Sequence, residues 1–228
     1  MTVELADKVV AITGAGIGIG REIALRFAAE GSRVAVTYRE HRTEAEEVAR
    51  RCLAFGAPDV LVASLDATDD VSICEAVERI AERFGAVDIL INNAGVVVWR
   101  PFLEQSFAEI EHQIAVNLLG VMKVTWSCLP LVRDAVITIA SGSALHGTAT
   151  LAPYCAGKWG VRGFVKALAL EHPDKRMYCV HPTRTATRMN DFHGEPPERV
   201  ADVIVRVAAG EIEVEPGGDV DLRDYRDE

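Results

Sequence analysis

Basic side chains are the scarcer sign in this 228-residue chain: 24 Lys and Arg stand against 34 Asp and Glu, a formal net charge of −10. Phosphate-backbone binding needs a basic face, and no cluster of Lys and Arg forms one, so no nucleic-acid partner is expected. Cysteines at metal-binding or redox spacing are missing as well. The five present, Cys52, Cys74, Cys128, Cys155 and Cys179, are widely spaced and odd in number, which argues for reduced thiols over a disulfide framework or a zinc centre. No metal is expected. The N-terminal residues lack the basic-then-apolar pattern of a signal peptide, and no apolar run is read as approaching the ~20 residues that span a bilayer. The expectation is a cytoplasmic protein with no membrane partner. Internal repeats, low-complexity tracts and long linkers are lacking too, which leaves no domain boundary within 1–228.

What is there is the make-up of one folded domain, 49% hydrophobic and 25% charged. Short β-branched runs, Lys8–Thr13, Arg33–Tyr38, Val60–Ala63, Val87–Asn92, Ala135–Ala140 and Met177–His181, alternate with stretches of helical period. Those stretches lie near 18–30, 42–55, 70–84, 103–128, 153–171 and 196–209. Strands alternating with helices make βαβ units and a parallel sheet. The expected fold is α/β, a doubly wound Rossmann-like sheet of six or seven strands with helices on both faces. Its ligand then lies at the C-terminal ends of the strands. A short edge strand at Asp219–Leu222, in the acidic tail, is the seventh candidate.

The first strand runs into Thr13-Gly-Ala-Gly-Ile-Gly-Ile-Gly20, and a helix follows directly. Glycines at 14, 16, 18 and 20 let the backbone turn and approach a ligand without Cβ clashes, while free N–H groups at the helix start point at an anion. That is a place for a dinucleotide pyrophosphate, with Gly14, Gly16, Ile17, Gly18 and Ile19 as its contacts. The spacing resembles the Thr-Gly-x-x-x-Gly-Ile-Gly of the short-chain dehydrogenase/reductase family. Further motifs of that family follow in order: Asn92-Asn-Ala-Gly95, then Asn117, Ser141 and Tyr154-x-x-x-Lys158.

The resemblance implies an NAD(P)-dependent oxidoreductase that moves a hydride between nicotinamide and a carbonyl or secondary alcohol carbon. It implies Tyr154 as the proton-transfer residue and Ser141 as the hydrogen-bond partner of the substrate oxygen. Asn117 would hold a relay water, and Lys158 would sit beside Tyr154 and on the nicotinamide ribose. On a helix the four-residue spacing puts Tyr154 and Lys158 on one face, where an ammonium favours the phenolate. Asp66 and Ala67 are implied at the adenine, and Asn93, Ala94 and Gly95 along the cofactor. Pro182, Thr185 and Thr187 are implied near the carboxamide.

Tyr38 and Arg39 end the second strand where a carboxylate would bind the ribose diol of NAD. With no acid there, and Arg39 and Arg42 able to meet a phosphate, NADP(H) is favoured over NAD(H), although Glu40 and Ile17 weigh the other way. Thr183 replaces the family's glycine after Pro182, and threonine does not reach positive φ cheaply, so a different turn is expected. The segment from Arg188 to His193 is short for a lid, which implies an open pocket; Trp99 and His146 fall near its mouth. These departures keep a second reading open, a dinucleotide-binding sensor without turnover. Surplus apolar surface on the helices near 103–128 and 153–171 points to a homo-dimer or homo-tetramer.

Overall fold

The structure, a computed structural model, describes residues 3–225. Seven strands form one sheet: β1 Val9–Ile12, β2 Arg33–Tyr38, β3 Val60–Ser64, β4 Val87–Asn92, β5 Val132–Ile139, β6 Arg176–His181 and β7 Asp219–Asp221. Their spatial order is β3-β2-β1-β4-β5-β6-β7, and every pairing is parallel. The helices between them are α1 Gly18–Ala29, α2 Arg42–Phe55, α3 Asp70–Phe84, α4 Phe107–Ile114, α5 Val121–Cys128, α6 Ala152–Glu171 and α7 Pro197–Ala208. This is the expected doubly wound sheet. The order reverses between β1 and β4, and that switch point opens a crevice at the strand C-termini.

Strand residues alternate between two cores. Val10, Ile12, Ile89 and Ile91 face the layer of α1 and α7, where Ile23, Phe27 and Ile204 are fully buried. Ala11, Leu90 and Val136 face the opposite layer, with Ile73 and Ile80 of α3 and Val161 and Val165 of α6. Burial on both faces is why these strands read as continuous apolar runs.

Three boundaries differ from expectation for local reasons. The helix expected from 103 begins at Phe107, because Ser106 and Glu109 form a reciprocal capping box, while Phe102–Glu104 is a single 3-10 turn. The same helix is interrupted by a π-helical segment, Ala115–Gly120, which passes into α5. β5 starts at Val132, which pairs with Val87 ahead of a register shift. Phe107–Leu131 as a whole is a 25-residue helical stretch long and apolar enough to cross a membrane by length and composition, which corrects the expectation of no such run. Its inner face packs in the second core through Val121, Val124 and Cys128, and its outer face exposes Phe107, Leu119, Met122 and Trp126.

Candidate active site

The loop between β1 and α1 is a cradle that side chains would fill. Gly14 and Gly18 have φ of +63° and +57°, the left-handed region that glycine alone adopts at little cost. A Cβ on Gly20 would lie 2.4 Å from the Gly14 carbonyl oxygen and 2.5 Å from Asn93 Nδ2. The loop is tied to the end of β4: Asn93 Nδ2 donates to the carbonyls of Thr13 (2.9 Å) and Gly14 (3.2 Å). In return, Thr13 Oγ1 accepts from the N–H groups of Asn93 (2.9 Å) and Ala94 (3.0 Å). Behind this loop α1 starts with no side-chain cap and no acid in its first turn. Four helix N–H groups there lack an intrahelical partner, and the helix dipole favours negative charge. The residues present therefore fit a dinucleotide pyrophosphate.

From this cradle a cleft of about 1280 Å³ runs along the strand ends. It is lined by Gly14, Gly16, Ile17, Gly18, Ile19, Tyr38, Arg39, Asp66, Ala67, Asn93, Ala94 and Gly95, and further on by Ser141, Tyr154, Lys158, Pro182, Thr185 and Thr187. Every site residue expected from sequence lies on that lining except Asn117. Arg39 pairs with Glu40 at 2.5 Å, and Arg42 with Glu46 at 2.8 Å. Neither is therefore a free cation, although both pairs are exposed and weak. Asp66 Oδ1 accepts from the N–H (2.8 Å) and hydroxyl (2.7 Å) of Thr68. Burial pushes this carboxyl up, but those hydrogen bonds prevail and hold it below the usual carboxylate value.

Ser141 follows β5 with its hydroxyl oxygen accepting the Ser143 N–H at 3.1 Å. Tyr154 and Lys158 stand one turn apart on α6, 8% and 3% exposed, and line the same cleft as Ser141. Lys158 Nζ donates to the Ile139 carbonyl at 2.8 Å and sits 5.8 Å from the centre of the Tyr154 ring. The electrostatics differ from the expected phenolate. Burial pushes the Tyr154 hydroxyl above its ordinary value, with the Ser141 hydrogen bond opposing, and burial pulls Lys158 down to about 8.

Asn117 lies behind the wall, fully buried in the π segment. Its Oδ1 accepts the Val96 N–H (2.9 Å) and its Nδ2 donates to the Val96 carbonyl (2.8 Å). Gly95 separates it from Lys158: a Cβ there would meet Asn117 Oδ1 at 3.0 Å and Lys158 Nζ at 3.6 Å. The side chain is thus engaged in holding the β4–α4 loop.

Sequence reasoning missed a buried polar node beneath Ser141. His181, with no exposed surface, sits 2.9 Å from the Ser141 carbonyl oxygen through Nδ1 and 2.8 Å from Asp219 Oδ1 through Nε2. Asp219 also accepts from Arg162 Nε and Nη2, each at 2.8 Å, and from Lys166 at 2.9 Å. Burial raises that carboxyl, but the bonds from Arg162, Lys166 and His181 hold it well below the usual range. The signal in the sequence was the cationic row Lys158, Arg162, Lys166 at four-residue spacing on one helix face.

Thr183 takes negative φ, so the turn after Pro182 forms without the family's glycine. Its Oγ1 is buried without a partner among the described residues. Left-handed backbone falls instead on Asp191 (φ 51°) and Phe192 (φ 59°) in the short lid, which tethers Trp99: the indole N–H donates to the Met189 carbonyl at 3.2 Å.

A Rossmann-like sheet with a dinucleotide cradle and a Ser, Tyr, Lys cluster at the same strand edge defines a nucleotide-dependent oxidoreductase architecture. The chain belongs to the short-chain dehydrogenase family, whose sequence pattern matches residues 8–197. It is 33% identical to meso-2,3-butanediol dehydrogenase of Serratia marcescens over 209 residues, 90% of this chain and 81% of that protein. Against dehydrogenase/reductase SDR family member 7 of Mus musculus it is 34% identical over 175 residues, 74% of this chain and 52% of that one. The match thus spans about half the mouse protein's length. A short chain dehydrogenase from Burkholderia cenocepacia J2315, solved in complex with NADP, superposes with a TM-score of 0.89 at 26% identity, covering 96% of this chain and 97% of that one.

Proposed function

We propose that the protein interconverts a carbonyl compound and its secondary alcohol, with Tyr154 as general acid and base and NADP(H) as cofactor. The observation that carries this reading is the convergence of Ser141, Tyr154 and Lys158 on one cleft wall at the strand edge, with Lys158 one turn beyond Tyr154 on α6. Lys158, Pro182, Thr185 and Thr187 would hold the nicotinamide, which would supply or accept the hydride when bound. Burial keeps Tyr154 protonated, which suits it to give its proton to the oxygen of a carbonyl being reduced and to take it back from an alcohol being oxidised. The Ser143 N–H occupies a lone pair of the Ser141 hydroxyl and leaves its proton for the same oxygen. Lys158, protonated below about pH 8, stabilises the tyrosinate that proton donation leaves. Reductive turnover therefore declines as the pH rises through that value.

Arg39, with no acid at Tyr38, supports NADP(H) over NAD(H), its guanidinium exchanging Glu40 for a 2′-phosphate. The exposed outer face of α4 and α5, with Trp126 78% exposed, and Trp159 and Leu170 on α6 support a homo-dimer or homo-tetramer. The deciding experiment is NADPH oxidation on a panel of ketones and diketones with wild type and Tyr154→Phe. The variant should keep cofactor affinity and lose roughly a thousandfold in kcat. Equal turnover by both proteins removes Tyr154 from the chemistry, and cofactor binding with no turnover by either returns the sensor reading.

A further inference from the structure

We propose that Arg184, stacked over Trp99 at the substrate end of the cleft, is an anion subsite. The carbonyl compound taken by this protein then carries a carboxylate on an apolar body. This rests on the oxidoreductase reading and names the substrate class for it.

The other cations around that mouth are paired, and Arg184 is left without a carboxylate. Asp221 is held by Arg223, whose Nε lies 2.9 Å from Oδ2, and Arg223 also donates to His146 Nε2 at 3.0 Å. Arg188 lies 3.7 Å from Glu44, and Arg199 pairs with Glu195 at 3.0 Å. Glu198 lines the cleft from the first turn of α7 without pairing with Arg184. Among the described residues no carboxylate forms an ion pair with Arg184, in a chain whose net charge is −10.

Its perch is built from fixed main chain. The Arg184 carbonyl accepts the Glu195 N–H at 2.8 Å, and the Ala186 N–H donates to the Glu195 carbonyl at 2.8 Å, so the residue is clamped on both sides. The guanidinium carbon lies 5.9 Å from the Trp99 ring centre, and Trp99 is itself anchored through its indole N–H to Met189. A guanidinium resting on an aromatic face keeps its N–H edges for a carboxylate, which it meets bidentately. Apolar surface lies next to it: Trp99, Met189 and Phe192 line the cleft at 51%, 39% and 69% exposure, and Leu151 lines it deeper in, on the Tyr154 side. A ligand spanning this end meets a proton donor at Tyr154, apolar walls, and one unpaired cation at the rim. That order matches an oxo acid read from its ketone to its carboxylate.

The test measures calorimetric binding of levulinate and of its methyl ester to the protein saturated with NADP+, which cannot reduce either ketone. Levulinate should bind about tenfold more tightly than the ester, the size of one charge-assisted contact at a partly exposed site. The preference should vanish in Arg184→Gln, persist in part in Arg184→Lys, and leave NADP+ affinity unchanged throughout. Wild type binding the acid no more tightly than the ester overturns the proposal, as does an undiminished preference in Arg184→Gln. The same samples given NADPH separate the two readings: selective binding of levulinate without reduction keeps the subsite and removes the oxidoreductase.

Discussion

The two ends of the cleft are built by different means. At the nucleotide end the working surface is main chain, a single loop from Thr13 to Gly20 held by Asn93. At the substrate end the surface is side chain, brought together from the β4–α4 loop, the segment after β5, the turn after β6 and the strand β7. A main-chain site imposes its demand locally, because only glycine fits where a Cβ would strike a carbonyl. A side-chain site spreads its demand over positions far apart, and each residue taken singly looks ordinary. The first kind of site tolerates almost no substitution. The second absorbs change and sets specificity.

Gly20→Ala should produce the largest effect and break the nucleotide end alone. The added carbon at 2.4 Å from the Gly14 carbonyl cannot be relieved by a flexible side chain, since the obstacle is backbone. We expect about 3 kcal/mol of lost stability from overpacking and a cofactor dissociation constant raised roughly a hundredfold. Both are read by thermal unfolding with and without NADPH. A variant that binds cofactor normally would show that the loop is not a main-chain site.

Asp219→Asn should come next and act only on the substrate end. Asparagine keeps one acceptor oxygen but loses the charge and the second acceptor that Arg162 and Lys166, both of them donors, now share. With its side chain 22% exposed the node is partly solvated, so the loss should be about 2 kcal/mol, below that for a fully buried pair. For a chain of this size that lowers Tm by roughly 4–8 °C. Turnover should fall about tenfold as Ser141 loses its support through His181, with cofactor affinity unchanged. The pH dependence has a defined sign. The carboxyl is held low in the fold, so its contribution is complete above its unfolded value near 4 and is lost as the pH falls below that. The gap in Tm between wild type and variant should narrow there, and a constant gap would assign the loss to packing.

How much could be read beforehand follows the same division. The glycine loop, the alternation of strands and helices, and the order Asn117, Ser141, Tyr154, Lys158 were legible because each is a local pattern or a spacing. The node on Asp219 was not, because its members lie on the segment after β5, on α6, on β6 and on β7 and meet only through the sheet order. The π segment at Ala115–Gly120 has no sequence mark of its own. It sits where Gly120 approaches Ala67 so closely that a Cβ would lie 2.8 Å from its carbonyl oxygen. The surroundings of Tyr154 and Lys158 were out of reach for a related reason: spacing shows that they are neighbours, and only the fold shows how deeply both are buried.

Ser106→Ala tests a position that belongs to neither end. It removes the cap that starts α4 at Phe107, where Ser106 Oγ accepts the Glu109 N–H at 3.2 Å and Glu109 reaches back at 2.8 Å. About 1 kcal/mol of stability should be lost, with kcat and cofactor affinity unmoved. A kinetic effect would mean that the frame around Asn117 transmits strain into the site.

Arg39→Gln should have the smallest effect and sharpens the account of the nucleotide end. Arg39 already spends its charge on Glu40, and its side chain is 37% exposed. A 2′-phosphate must therefore displace an existing partner in water, and the net gain is about 1 kcal/mol or less. Loss of the guanidinium should weaken NADPH binding about fivefold and leave NADH binding as it was. The ratio of the two dissociation constants, measured by nucleotide fluorescence at one ionic strength, isolates the phosphate because everything else in the two cofactors is shared. Weakening of both cofactors alike would mean that Arg39 supports the adenosine pocket through Glu40 and has no part in choosing the phosphate.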